Sequence, residues 1–472
     1  MNLSFNPLLD TDSYKVSHWK QYPPGTQEVF AYLESRGGRH PQTLFFGLQY
    51  ILKAYFETPI TQEMVREAQD FYRLHFGRDD VFNQKGWERI VTHHQGRLPL
   101  RIRAVAEGSV VPTHHVLMTV ESTDPELPWV VSYFETQLLR VWYPVTVATL
   151  SWHIKQKLRK YLNRTSSAAE AELPFKLHDF GSRGVSSQES AGIGGAAHLV
   201  NFQGSDTVHG VRFANQYYGF KTPQLAGFSI PAAEHSTITS WGKEGEAQAF
   251  EQLLRQFAQP DQLVAVVSDS YDLWNAIDQI WGKQLKEQII QSRATVIIRP
   301  DSGNPVAIVK ECLERLARIF GTTKNEKGYR VLNHVRLIQG DGVTEESIAQ
   351  ILATTEKAGF SISNIAFGMG GALLQQNNRD TQKFAYKVSA IRVQDSYREV
   401  RKSPITDPEK TSKGGKLDLI KNKRGEYETV RIPNEGYDHQ KSELRLVYEN
   451  GKLFNTQTFD EIRKLSEAHS LR

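Results

Sequence analysis

Residues 295–305 read TVIIRPDSGNP, and how this stretch is read decides the fold. A continuous run of Val and Ile is what a strand covered on both faces requires, whereas a strand wet on one side would alternate. The run closes on Arg299, Asp301 and Gly303, and a helix follows at once. Asn304 is its N-cap and Pro305 its first residue, while Val309, Cys312, Leu313, Leu316 and Phe320 keep the helical period up to Gly321. Cys312 falls on the apolar face, so packing is its expected role.

The same grammar recurs at FKLHDFGSRG (175–184), FSIPAAEHST (228–237), LVAVVSDSYD (263–272), VRLIQGDGV (335–343) and NIAFGMGGAL (364–373). After the VRLIQGDGV run, Thr344 can cap a helix with Glu345 and Glu346 in its first turn and Ile348, Ile351 and Leu352 on its inner face. Short apolar runs alternating with helices predict a parallel sheet, here a closed β/α barrel; an open doubly wound sheet would place its ligands the same way. Asp179, Asp269, Asp301 and Asp341, with Arg183 and Arg299, lie just past their strands and are expected to face one pocket.

The expected fold class is therefore α/β, with a β/α-barrel domain over 171–387. A second mixed α/β domain is built from the N-terminal segment 1–170 and the C-terminal segment 388–472. In the first segment Gln27–Leu33 alternates as a strand and Gln62–His75 reads as a helix with Val65, Ala68, Phe71, Tyr72 and His75 on one face. Val110–Val120 reads as a strand and Trp129–Leu139 as a helix. In the last segment RKSPITDPEKTSKGGKLDLIKNKRG (401–425) reads as a solvated loop. Leu444–Tyr448 is strand-like and Phe459–Leu465 helical, and this tail should fold back on the N-terminal lobe.

Composition narrows the function. A chain of 472 residues with 23% charged and 39% hydrophobic residues is ordinary for a globular enzyme. A net charge of +4 is too mild for a duplex-sized basic surface, so no nucleic-acid partner is expected and a polyanionic small molecule is. The one cysteine excludes internal disulfides and multi-cysteine metal sites. With no charged leader before an apolar core, and no run near the roughly 20 apolar residues of a membrane span, no membrane partner is expected and the localisation is read as cytoplasmic. His93-His94 and His114-His115 are adjacent pairs whose side chains point apart, so no metal is assigned to them.

Residues 178–195, HDFGSRGVSSQESAGIGG, crowd a carboxylate, a ring and an arginine among small residues. Phe180 offers a flat apolar face and Arg183 a planar fork suited to phosphate oxygens. An equal alternative keeps Phe180 in the core and Arg183 on the surface. The turns IIRPDSG and IQGDG each hold an aspartate able to accept from sugar hydroxyls or hold hydrated Mg²⁺, and FGMGGALL can cradle a phosphate. His235, after Ala-Ala-Glu, reads by itself as an ordinary hydrogen-bonded histidine.

HDFGSRGVSSQES, GSDTVHG (204–210), PAAEHSTITSWG, VVSDSYD, IIRPDSGNP, IQGDGV and FGMGGALLQ, in this order, resemble the nicotinamide phosphoribosyltransferases of the type II phosphoribosyltransferase family. TDSYKVSHWKQYPPG (11–25) and FGLQYIL (46–52) resemble them too, so the likeness covers nearly all of the chain. The resemblance implies a β/α barrel with a second lobe, working as a head-to-tail homodimer with shared active sites. It implies transfer of phosphoribosyl from 5-phosphoribosyl 1-pyrophosphate to nicotinamide, giving nicotinamide mononucleotide and pyrophosphate in NAD salvage.

By the same likeness Phe180 stacks on the pyridine ring and Tyr14 of the other subunit covers its opposite face, while Asp206 accepts from the carboxamide. Arg183, His235 and Arg299 resemble the pyrophosphate binders. Asp301, Gly340, Asp341, Gly371 and Arg379 resemble the binders of the nucleotide product, with His235, Asp301 and Asp341 as the catalytic set. Arg36, Lys387, Lys402 and Lys410 match basic positions reaching the phosphates, partly across the dimer. His235 would be the histidine that ATP phosphorylates, with Glu234 and Asp269 beside it, and Mg²⁺ would come with the substrate. Ser182, Ala265 and Met369 depart from the vertebrate pattern and leave these positions intact. The rival readings are a nicotinate phosphoribosyltransferase and a non-catalytic anion-binding or nucleic-acid-binding barrel protein, the latter supported by the basic 401–425 stretch.

Overall fold

The structure, a computed structural model, describes residues 5–403, 405–406 and 411–470. The chain divides into two units: one holds Met1–Thr149, Gln216–Lys221 and Asn378–Arg472, the other Leu150–Asn215 and Thr222–Asn377. These borders differ from the expected 170/171 and 387/388, for reasons of pairing. The second half of the helix Trp142–Thr165 bonds within the second unit, through Ser151 to His198 at 2.8 Å and Lys157 to Glu345 at 2.7 Å. The strand Phe384–Val393 pairs along its length with Thr26–Ser35, which ties it to the first unit.

The second unit is built on a five-stranded sheet in the order Leu177–Asp179, Ile365–Met369, Val335–Gln339, Thr295–Arg299, Leu263–Val267. Every pair is parallel. Single parallel bridges, Asp179 to Ser205, Gly204 to Phe228 and Ala232 to Ala265, carry the pairing on from the first strand round to the last. The FSIPAAEHST run is therefore two bridge positions and not the strand expected, because Pro231 has no N–H to give a ladder. Within Thr295–Arg299, Val296 and Ile298 are fully buried, while Thr295, Ile297 and Arg299 are less buried and line a cavity.

The helix Pro305–Phe320 forms as its local signals require, with Asn304 Oδ1 accepting from the N–H groups of Val306 and Ala307, each at 3.1 Å. Cys312 is wholly buried in it, and burial pushes its thiol up to about 12, which keeps it protonated and inert. Thr344 caps the helix Glu345–Lys357 through a reciprocal pair with Ser347.

The first unit carries a seven-stranded antiparallel sheet in the order Ser396–Glu399, Phe384–Val393, Thr26–Ser35, Val116–Ser122, Leu100–Ala104, Arg445–Glu449, Lys452–Leu453. Four expectations change here. Val110–Val120 is broken at His114, whose φ of 68° turns the chain; Val110–Pro112 pairs with Gln42–Leu44, and Val116–Ser122 enters the large sheet. Trp129–Leu139 is interrupted at Phe134. On the helix Gln62–Phe76 the inner face is Val65, Ala68 and Tyr72, while Phe71 is 50% exposed and stacks on His75. Part of 401–425 is one strand of a hairpin, Leu417–Lys421 paired with Tyr427–Arg431, and Lys413 and Lys416 pair with Glu34 and Glu28 instead of standing in water. No helix among the described residues is long and apolar enough to cross a membrane.

Candidate active site

A cavity of about 510 Å³ lies within the second unit, lined by residues that alternate along its strands. At the carboxyl ends it meets Phe180, Asp206 and Arg299; further in it meets His178, Ile230, Ala232, Ala265, Ile297 and Ala366. Parallel strands put consecutive side chains on opposite faces, so Thr295, Ile297 and Arg299 all reach the same interior.

Phe180 follows the Leu177–Asp179 strand, and its N–H bonds to Met369 O at 3.0 Å. The ring lies directly on Gly368, where an added Cβ would fall 2.0 Å from Phe180 Cε2. Gly368 is thus a residue the motif reading passed over: it is the one residue type that lets the ring lie flat on the strand. Gly340 performs a similar service, since a Cβ there would sit 2.9 Å from Asp301 Oδ1 and 3.7 Å from both Phe180 and Arg299. Asp206 is exposed at the rim, and its Oδ1 accepts from Ser229, another residue not singled out in advance.

Arg299 is 16% exposed and its buried Nε has no hydrogen-bond partner. Its nearest carboxylate, Asp301, is 3.8 Å away. An arginine with donors unsatisfied beside a cavity is held ready for an anion. Arg183 is 91% exposed, 3.8 Å from Glu234.

Beside this lies a polar cluster. His235 Nε2 is 3.0 Å from Asp269 Oδ1 and its Nδ1 3.9 Å from Asp301 Oδ2. The second oxygen of Asp269 accepts from the Asp301 N–H at 3.1 Å and from Ser302 Oγ at 2.5 Å, so one buried carboxylate orients both the imidazole and the next strand's turn. Burial pushes the Asp301 carboxyl up, Arg299 and His235 oppose this, and Asp269 and Asp341 add to the rise.

Not every expected residue faces the cavity. Asp179 is 0% exposed and directs Oδ1 to the Gly181 N–H at 2.7 Å, away from the cavity, because it is one residue out of phase with His178 and Phe180. Asp341 is exposed beyond the rim, and Gly371 opens a helix of four residues, Gly371–Leu374, shorter than the cradle expected.

In the first unit, by itself, a second group gathers. Burial lowers the Lys387 ammonium pKa, Glu135 opposes this, and Arg36, Lys402 and Arg379 each lower it further, so four cations share one neighbourhood. Tyr14 is 62% exposed and within electrostatic reach of Arg379. Lys410 lies outside the described residues.

The sequence matches the models of two families: "Nicotinate phosphoribosyltransferase (NAPRTase) family" over residues 175–452, and "Nicotinamide phosphoribosyltransferase, N-terminal domain" over 6–102. It is 54% identical to a nicotinamide phosphoribosyltransferase of Xanthomonas campestris over 469 residues, covering 99% of each chain. It is 35% identical to one of Mycoplasma pneumoniae, covering 89% of this chain and 96% of that one. Among solved structures, the nicotinate-nucleotide pyrophosphorylase of Pyrococcus furiosus superposes with a TM-score of 0.60 at 14% identity, over 100% of this chain and 98% of that one. The human nicotinic acid phosphoribosyltransferase superposes with a TM-score of 0.55 at 16% identity, over 98% and 93%. The last two show likeness of fold.

Proposed function

The chain belongs to the nicotinate phosphoribosyltransferase family, and on that premise we propose that it transfers phosphoribosyl from 5-phosphoribosyl 1-pyrophosphate to nicotinamide, releasing pyrophosphate. The observation that carries the reading is the convergence of Phe180, Asp206 and Arg299, whose buried Nε has no hydrogen-bond partner, on one cavity of the sheet, which we read as a β/α barrel. The cavity is apolar along its walls and holds charge at both ends, and at the Phe180 end the Arg299 cation keeps a donor for an anion, as a flat aromatic amide bearing an anionic partner requires.

In this reading the pyridine ring lies on Phe180, which Gly368 allows to sit flush with the strand, and the carboxamide N–H is donated to Asp206. A carboxylate there favours the amide over nicotinate, whose own charge it repels. The pyridine nitrogen attacks C1 of the ribose as the C1–O bond to pyrophosphate breaks, with positive charge developing on the sugar. Arg299 and Arg183 take the departing pyrophosphate, and Asp301 and Asp341 hold the ribose hydroxyls near Gly340 and Gly371. Mg²⁺ travels with the substrate and neutralises its phosphates. Catalysis is positioning and electrostatics, with no protein nucleophile at the sugar.

His235 is assigned the phosphoryl group of ATP, with ADP leaving and water later releasing phosphate; Asp269 supports the role by fixing the ring at 3.0 Å. Tyr14, Arg36, Arg379, Lys387, Lys402 and Lys410 are assigned to the neighbouring active site of a homodimer in the cytoplasm. Product analysis after mixing protein, Mg²⁺, phosphoribosyl pyrophosphate and either nicotinamide or nicotinate, with and without ATP, tests the whole. Nicotinamide mononucleotide is expected; turnover of nicotinate alone would overturn the role of Asp206. Absence of an acid-labile phosphate on His235 after incubation with ATP would remove the coupling and leave the transfer.

A further inference from the structure

Asp179 has no part in the chemistry above, yet it is wholly buried directly behind it. Its Oδ1 accepts from the Gly181 N–H at 2.7 Å, holding the turn that carries Phe180 and Arg183. Gly181 is pressed against Leu374, where a Cβ would fall 2.6 Å from Cδ1, so that turn has no slack on its other side. The Asp179 main chain bonds to the adjacent segment of the same rim: its carbonyl accepts from the Asp206 N–H at 2.9 Å, and its N–H is 3.3 Å from Gly204 O. Its Oδ2 is buried, 3.3 Å from where a Cβ on Gly195 would stand, with the buried hydroxyl of Thr207 as its polar neighbour.

A wholly buried carboxylate is an expensive way to satisfy one turn N–H, which a neutral Asn or Ser would do without the desolvation. Here both residues it braces, Phe180 and Asp206, are those assigned to the two ends of the base. We propose that Asp179 is a positioning residue for the base, tying the Phe180 turn to the neighbouring segment that carries Asp206 and so fixing the gap between ring face and amide acceptor. This rests on the reading of the cavity as a nicotinamide site.

Burial pushes the Asp179 carboxyl up to about 6, against the Gly181 N–H and Thr207, with Asp206 adding to the rise. Of the elements packed on it, the helix Gln188–Leu199 presents Gly195 and the 204–207 segment presents Thr207 and Asp206, so Asp206 is the ionisable neighbour. Protonation of Asp179 weakens the acceptor that holds Gly181, and nicotinamide kcat/KM should fall as pH drops through about 6.

The test compares wild type with Asp179→Asn, Asp179→Ala and Thr207→Val, over pH 5 to 8, reading KM for each substrate separately. Asp179→Asn should abolish the acid limb, and Thr207→Val should move it to higher pH, a shift that a purely structural residue would not produce. Asp179→Ala should raise the nicotinamide KM on the order of tenfold to a hundredfold while leaving that of phosphoribosyl pyrophosphate within about twofold. A folded Asp179→Ala enzyme with unchanged nicotinamide KM, or an acid limb kept in Asp179→Asn, overturns the proposal. Should the wild type make no nucleotide from nicotinamide, it is the functional reading that fails. The brace is then read from the Gly181 amide resonance: a midpoint near pH 6, lost in Asp179→Asn, supports it, and a flat profile overturns it.

Discussion

Arg299 and Arg336 stand at opposite ends of one cavity, on neighbouring strands, and do opposite things. Arg336 gives Nη1 to the carbonyls of Leu332 and Val335, and burial lowers its pKa. Beside it Lys176 gives Nζ to the carbonyls of Ile362, Ser363 and Ile365 at 3.1 to 3.2 Å and pairs with Glu172 at 3.1 Å. At this end the cations are occupied by the protein itself. At the other end Arg299 keeps a buried Nε with no partner, and Arg183 stands 91% exposed. A cation saturated by main-chain carbonyls braces the fold, whereas one left unsatisfied beside a cavity awaits an anion.

The contrast breaks most easily at Arg299. Arg299→Ala should lower kcat/KM by about 3 to 4 kcal/mol in transition-state terms, the scale of deleting one oxyanion donor, while thermal unfolding stays near wild type; comparable activity would end the argument. Lys176→Met should do the reverse, costing about 3 kcal/mol of stability by stranding Glu172, with kcat/KM nearly retained in initial-rate assays.

A pH-dependent effect sharpens the comparison further. The folded Asp179 carboxyl, at about 6, lies above its ordinary value of 3.8, so between these limits the folded state binds more protons and stability falls as pH rises. Asp179→Asn removes that loss, and denaturant unfolding at pH 7.5 should show it more stable by about 2 kcal/mol, allowing for the altered hydrogen bond; at pH 4 the gain should vanish. The smallest effect is at Asp206: Asp206→Asn should relax the preference for nicotinamide over nicotinate by about 1.4 kcal/mol, roughly tenfold, measured by competing the two bases.

What was legible in the sequence was local. Asn304, Pro305 and Gly321 mark a helix whose bounds the structure keeps, and the strand-end motifs bring Phe180, Asp206 and Arg299 together as spacing along parallel strands requires. What was hidden depends on phase and on distant partners. Asp179 looks equivalent to Asp269 and Asp301, but one step of strand register turns it behind the site. Gly368 looks like any glycine of a turn until a ring 188 positions earlier, at Phe180, lies on it. Lys176 is a single basic residue in an apolar run, and the carbonyls it meets, of Ile362, Ser363 and Ile365, lie far along the chain. His114 breaks its element for the same reason, since the strands that take each half, Gln42–Leu44 and Thr26–Ser35, are remote.

The borders of the two units have a practical consequence. The backbone passes between them at 149/150, 215/216, 221/222 and 377/378, the six residues Gln216–Lys221 being a brief return visit. Neither unit is a contiguous piece of gene, so no single truncation liberates one intact. A nick by a protease in either should leave fragments that still depend on one another, and recombination between relatives would have to exchange the whole coding sequence or very little of it.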